Sequence, residues 1–191
     1  MPAAPLIWIN GFPGSGKLTV AKVFKQLTSD DTIILDNHQL IDPVEARFPR
    51  LHPEYQKERH LYRQAVFKEH VYNKANLSKI VVFTDFQSNN ELGRDTATEY
   101  KICAMESGRV FLPVYLICDL NTNLKRVNTI ERIDSGTKKL TNVELVKNLR
   151  WKCDLFRFDD CPGLTLDSTG ASPLEIASKI LDFVESSRST P

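Results

Sequence analysis

Long apolar runs, paired cysteines and surplus charge are all missing from this 191-residue chain. No uninterrupted apolar stretch approaches the roughly 20 residues that a membrane-spanning helix needs. The first residues, MPAAPLIWING, have neither a basic leader nor a long apolar segment, so they do not read as a signal peptide, and a cytoplasmic location is expected. The four cysteines, Cys103, Cys118, Cys153 and Cys161, make no C-x-x-C spacing, and His38, His52, His60 and His70 complete no ligand pattern with them. That argues for reduced thiols rather than a disulfide frame or a zinc site, with Cys118 a core residue at the end of VFLPVYLIC. With 25 basic and 24 acidic residues the formal charge is +1. This balance argues against nucleic acid or a membrane surface as the main partner. The sequence also lacks an N-K-x-D run of the kind that reads guanine.

Alternating short apolar bursts and helical patterns are present instead. Strands are expected at residues 5–10 (PLIWIN), 32–36 (TIILD), 79–85 (KIVVFTD), 109–118 (RVFLPVYLIC) and 163–167 (GLTLD). Pro113 marks an irregularity or an early edge in the fourth. Helices are expected at 18–27, over 53–76 as one long helix, from 89 to a stop at Gly108, at about 121–131 and at 142–156. A last helix starts at Ser172, with Pro173 at its first position and Glu175 completing a capping box. Strands alternating with helices imply parallel pairing through crossovers, hence an open α/β sheet covered on both faces. With 41% hydrophobic residues, no repeat and no linker, residues 1–191 read as one domain. Residues 132–141 (RIDSGTKKLT) are its least core-like interior stretch.

Between the first strand and the first helix stands NGFPGSGKLTV. Gly11, Gly16 and Lys17 meet the phosphate-loop pattern G-x-x-x-x-G-K-[ST], but Leu18 occupies the hydroxyl position and Thr19 follows it. Such a loop works because successive backbone N–H groups turn inward and a helix N-terminus points at the anion. Gly11, Gly14 and Gly16 permit the close approach, with Pro13 and Ser15 between them, and Lys17 supplies a cation for the outer phosphates. Leu18 has no atom to offer Mg²⁺. Thr19 still has a hydroxyl and an N–H at the helix start, suited to an inner phosphate and a possible metal contact. Mg²⁺ would then be held by phosphates, water and carboxylates elsewhere, which a hydrated ion tolerates.

The stretch GFPGSGKLT resembles the loop of adenylate kinases, which run G-x-P-G-S-G-K-G-T and also lack the hydroxyl after lysine. LIWINGFPGSGK is similar to the start of tunicamycin-resistance ATP-binding proteins. The order of elements resembles the wider set of P-loop small-molecule kinases, including chloramphenicol phosphotransferase, shikimate and gluconate kinases and the zeta toxins. The resemblance implies a three-layer P-loop NTPase fold with five parallel strands in the order 2-3-1-4-5, helices on both faces and a short lid, here 132–141. It also implies ATP and Mg²⁺ as the nucleotide and metal.

Ligands in open α/β sheets sit beyond the C-terminal strand ends. Asp36, Asn37 and His38 stand after the second strand, and Thr84, Asp85 and Gln87 around the end of the third. The resemblance implies Asp36 as the base or orienting group for the acceptor, and Asp85, at a Walker-B-like position, as holder of the Mg²⁺ water shell. The two roles could be exchanged, and either aspartate could be a turn or cap residue. Downstream, Asp42, Arg47 and Arg50 border the same region, and an arginine there suits an anionic acceptor. By the same resemblance Arg132 fits the transferred phosphate, Arg126 the base, and the loop of Asp167, Ser168 and Thr169 the adenine. The leading expectation is an ATP-dependent phosphotransferase acting on a small hydroxyl- or phosphate-bearing acceptor, as a monomer or homodimer. The alternatives are an ATP-binding switch or resistance protein without a dedicated acceptor, and a kinase of polynucleotide 5′ ends.

Overall fold

A computed structural model describes residues 2–29, 31–128 and 142–188. The order of elements is β1 (Leu6–Asn10), α1 (Lys17–Leu27), β2 (Thr32–Asp36), α2 (Asn37–Glu45), α3 (Tyr55–His70), β3 (Ile80–Asp85), α4 (Glu91–Glu106), β4 (Phe111–Ile117), α5 (Leu120–Val127), α6 (Val143–Lys152), β5 (Leu164–Asp167) and α7 (Pro173–Arg188). The five strands form one sheet in the order β2-β3-β1-β4-β5. Every pairing in it is parallel. This is the open parallel α/β sheet that the sequence pattern implies, in the strand order of the P-loop NTPase fold that the resemblance implies.

Alternation along the buried strands sorts the core into two layers. From β1, Ile7 and Ile9 join Val20, Ala21 and Phe24 of α1 and Ile176, Ala177 and Ile180 of α7 on one face. Leu6 and Trp8 point the other way, against Leu40 of α2, Phe67 of α3 and Ala97, Tyr100 and Cys103 of α4. β1 is therefore apolar on both faces from Leu6 to Ile9, as suits a central parallel strand. Full burial of side chains such as Phe24, Phe67 and Ile180 contributes roughly 1.5–3 kcal/mol each. Trp8 centres an aromatic group with Tyr100, Tyr115, Phe111 and Phe158 at centroid separations of 5.8–6.5 Å. Pro113 opposes Trp8, and β5 pairs with β4 only from Val114 onward, so the proline precedes that ladder.

Three elements depart from the sequence expectation. Residues 37–45, for which no helix is expected, form α2. Leu40 and Val44 bury at helical spacing there, and Gln39 accepts from the backbone N–H of Asp36 at 2.8 Å, the signature of a capping box. The helix expected over 53–76 spans Tyr55–His70. Beyond it Asn73 caps a single 3-10 turn at Lys74–Asn76 by accepting from Ala75 N–H. α6 stops at Lys152 rather than 156, because Cys153 is extended. The following residues cross toward β3, where Ser88 and Leu155 form an isolated antiparallel bridge. Gly108 ends α4 at φ +70° as expected. The lid stretch 132–141 lies outside the described residues. Among the described residues no helix is long and apolar enough to cross a membrane.

Candidate active site

The loop after β1 begins where β1 and β3 run side by side, with Asn10 opposite Asp85. Gly14 has φ +85° and Gly16 φ +93°, left-handed values that a side chain resists. A Cβ on Gly14 would lie 2.5 Å from Val127 Cγ2, so α5 packs directly on the loop. A Cβ on Gly16 would meet nothing within 4 Å, because that side of the loop is open. Gly16 is the N-cap of α1, whose first turn carries no acidic residue. The positive end of the helix dipole is thus left unopposed for an anion. Ser15 is 1% exposed, and its Oγ has no partner among the described residues. Lys17 Nζ donates to the carbonyls of Gly11 and Phe12, which holds the cation over the loop.

Residues Pro13 to Val20 line a cavity of about 960 Å³. Asp36, Asn37, His38, Thr84 and Phe86 line it from the ends of β2 and β3, and Arg126 and Ser168 from α5 and the loop after β5. The structure therefore brings together Pro13, Gly14, Ser15, Gly16, Lys17, Leu18, Thr19, Asp36 and Arg126. Gly11 sits at the loop's root, its N–H donating to the Asp85 carbonyl at 3.3 Å. Asp36 takes a 3.2 Å hydrogen bond from Thr84 Oγ1 across the β2–β3 ladder. It is both the N-cap of α2 and a cavity residue.

Asp85 and Asp167 stand elsewhere. Asp85 is fully buried and is not among the cavity residues. Its carboxylate accepts from Phe86 N–H at 2.7 Å and from Gln87 Nε2 at 2.8 Å. Asp167 also lies off the cavity and accepts from both the N–H and the hydroxyl of Thr169. Those hydrogen bonds hold its carboxyl below the usual range. Its neighbour Ser168 is the cavity residue of that loop. Ser168 Oγ donates to the Ser15 carbonyl at 3.0 Å and accepts from Arg126 Nη1 at 3.0 Å, while Arg126 Nη2 donates to its carbonyl at 2.7 Å. Arg132 lies outside the described residues.

Two supporting groups have no local signal in the sequence. Asn123, fully buried, donates from Nδ2 to the Pro13 carbonyl at 2.6 Å and accepts from Arg150 Nη1 at 3.0 Å. Arg150 also donates to the Cys118 carbonyl at 2.9 Å and lies 5.0 Å from the centre of the Phe12 ring. Asn10, also fully buried, donates to the carbonyls of Gln87 and Phe156 and accepts from Gln87 N–H. It fixes the exit of β3 beside the loop.

The donor set fits a triphosphate. An open glycine cradle, an unopposed helix start, a lysine at its rim and an unpartnered buried serine hydroxyl are what polyphosphate oxygens require. For a divalent cation the fit is looser. Among the described residues no group of three His, Cys, Asp or Glu side chains could hold a metal. Leu18 offers no atom, while the Thr19 hydroxyl and the Asp36 carboxylate belong to cavity residues. Such a set suits a hydrated ion carried mainly by phosphates.

Fold and loop together define a P-loop NTPase fold. No family model matches the chain, and no curated protein matches it in sequence. Solved structures match it in fold. The chain is similar to the APS kinase CysC of Mycobacterium tuberculosis in complex with AMPPNP and APS, at 16% identity over 97% of this chain and 99% of that one, with a TM-score of 0.62. It is similar to the tunicamycin resistance protein of Deinococcus radiodurans at 18% identity, 95% of both chains and a TM-score of 0.56. Shikimate kinase from Acinetobacter baumannii, in complex with shikimate, matches at 17% identity over 98% and 96% of the two chains, with a TM-score of 0.53. At these identities the likeness is one of fold.

Proposed function

We propose that the chain is an ATP-dependent phosphotransferase that moves the γ-phosphate to a small acceptor. The observation that carries this reading is that one cavity is lined both by the glycine cradle with Lys17 and by the carboxylate of Asp36. A cradle alone suits any nucleotide binder. A carboxylate at the end of β2, facing the same space, adds what phosphoryl transfer asks of the protein: a group that orients an acceptor and accepts its proton. The kinase fold of the structural neighbours, one of them with AMPPNP and APS and another with shikimate, supports the same reading.

In this reading the loop amides and Lys17 hold the β- and γ-phosphates, Thr19 meets an inner phosphate, and Arg126 with Ser168 borders the base. The acceptor oxygen bonds to the γ-phosphorus as the bond to the β–γ bridging oxygen breaks. ADP leaves with that electron pair, and the acceptor proton passes to Asp36. Mg²⁺ would supply charge neutralisation at the outer phosphates, and of the cavity residues Thr19 would offer a hydroxyl to its water shell, whereas the buried Asp85 carboxylate lies off that cavity. Arg132, from the stretch after α5, compensates charge on the moving phosphoryl group.

Titration calorimetry with Mg-ATP, followed by ADP formation with and without a panel of acceptors, tests the proposal. Binding at or below millimolar ATP and acceptor-dependent ADP release are expected. No binding at millimolar ATP refutes it, and turnover indifferent to every acceptor moves the protein into the class of nucleotide switches.

A further inference from the structure

Beside the main cavity, between α1, β2 and α2, lies a second recess of about 480 Å³. Leu18, Ile34 and Pro43 give it an apolar lining, and Asp36 and His38 belong to both spaces. Leu18 is the residue standing where the common loop pattern has a hydroxyl. It lines both the main cavity and this recess. On the main-cavity side Ile41 and Phe86 continue the apolar lining around Asp36.

The charged groups of this region are largely answered within the chain. Arg50 lines the main cavity, but its guanidinium donates to both carboxylate oxygens of Glu45, at 3.0 and 3.4 Å. His38 Nδ1 lies 3.2 Å from Asp42 Oδ1. Lys22, exposed on α1, lines both spaces. The recess itself is lined by two carboxylates, Asp36 and Asp42, and one cation, Lys22. A second dianion seated in the recess would meet those two carboxylates, with Lys22 its lining cation and Arg50 of the main cavity already engaged by Glu45. Asn37, a cavity residue, has a buried Oδ1 with no partner among the described residues. That oxygen can only accept, so it asks for a ligand that donates, as a hydroxyl does and a phosphate dianion does not.

We propose that the acceptor is an uncharged hydroxyl compound with an apolar arm, its hydroxyl between Asp36 and Asn37 and its arm against Leu18, Ile34 and Pro43, and that phosphorylated acceptors are disfavoured. This rests on the phosphotransfer reading and narrows it to one acceptor class. Leu18 then serves acceptor recognition at the position where a metal-binding hydroxyl is usual.

The test uses the full chain saturated with Mg-AMPPNP and carrying ¹³C-labelled Leu and Ile methyls. The probes are 1-phenyl-1,2-ethanediol and phenyl phosphate. The diol is expected to shift the Leu18 and Ile34 methyl signals and to bind at least tenfold more tightly than phenyl phosphate. Glu45→Gln, which releases Arg50, is expected to improve phenyl phosphate binding at least fivefold and to leave the diol within twofold. Phenyl phosphate binding as well as the diol, or a diol response that leaves those two methyls unmoved, overturns the proposal. Calorimetry with Mg-AMPPNP on the same sample separates the two levels. Nucleotide binding with a preference for phenyl phosphate sinks this inference alone, whereas no nucleotide binding sinks the phosphotransfer reading with it.

Discussion

Arg150 Nη1 donates to Asn123 Oδ1 at 3.0 Å, and the other end of that carboxamide holds the Pro13 carbonyl. The pair joins α5 and α6, which flank residues 129–141, and it grips the phosphate loop from outside. Asn123 is 0% exposed, so neither of its hydrogen bonds is traded for water while the loop is in place. Asn123→Ala is expected to weaken Mg-ATP binding roughly tenfold, about 1.4 kcal/mol. Arg150→Ala should cost a similar amount, and the double variant little more than either alone, because both act through one hydrogen-bonded unit. Calorimetry across the four proteins checks this. Additive losses would show that the two residues support the loop independently.

Lys17 and Asp36 line one cavity and carry different tasks. Lys17 Nζ now rests on the Gly11 and Phe12 carbonyls, so a phosphate need only take over those contacts. Lys17→Ala is expected to abolish nucleotide turnover. Asp36→Asn keeps an oxygen to accept from Thr84 Oγ1 but loses the base. It should lower acceptor-dependent ADP formation by about 10²-fold or more and leave the Mg-ATP dissociation constant within about threefold, roughly 0.6 kcal/mol. Equal losses in binding and turnover would remove Asp36 from the acceptor side. The measurement is a steady-state assay paired with calorimetry.

The strands and the loop were legible because their signals are local. An apolar burst ending in GFPGSGK specifies a β-strand, a turn with left-handed glycines and a helix start without help from the rest of the chain. α2 was legible in principle, since Asp36 and Gln39 have capping-box spacing. Pro43 argues against a helix, and only the burial of Leu40 and Val44 outweighs it. The end of α3 at His70 depends on Val71 being fully buried and on Asn73 capping the next turn, neither of which the periodicity displays. Whether a carboxylate at a strand end enters the cavity is a tertiary matter. Asp36 does, whereas the Asp85 carboxylate is taken by Gln87 and the backbone of Phe86. The pairing of Asn123 with Arg150 joins positions 27 apart through contacts that no local pattern encodes.

Arg109 anchors the opposite end of the sheet. It is 3% exposed, and its guanidinium donates to the carbonyls of Ala4, Lys79 and Asn76 at 2.7–2.8 Å and of Val71 at 3.3 Å. Burial lowers its pKa, yet a guanidinium stays charged. One planar fork thus closes the segments entering β1 and β3 and the turns after α3. Arg109→Lys retains the charge but a single ammonium cannot reach four carbonyls, and a cost of about 3 kcal/mol is expected. Denaturant unfolding reads it. Mg-ATP affinity of the folded fraction should not change, because these carbonyls lie at the ends of the strands remote from the loop.

The ion pair between α3 and α4 sets an acid limb to stability. Arg63, 4% exposed, forks onto Glu99, and Gln64 and His60 add contacts to the same carboxylate. Burial opposes the charge on Glu99, but the Arg63 guanidinium together with His60 outweighs it, and the carboxyl ends below its ordinary value of 4.5. A depressed native pKa means that the unfolded chain takes up the proton first as pH falls. The pair's contribution is therefore whole above about pH 4.5 and is lost as pH drops from there through the native value. Glu99→Gln leaves a buried guanidinium without its counter-charge and is expected to cost about 3 kcal/mol at neutral pH. Below pH 4 the gap between the variant and the native chain should narrow, since the native carboxyl is then being neutralised too. Urea unfolding at pH 7, 5 and 3.5 measures both curves. A constant gap across that range would mean that Glu99 contributes through packing rather than through its charge.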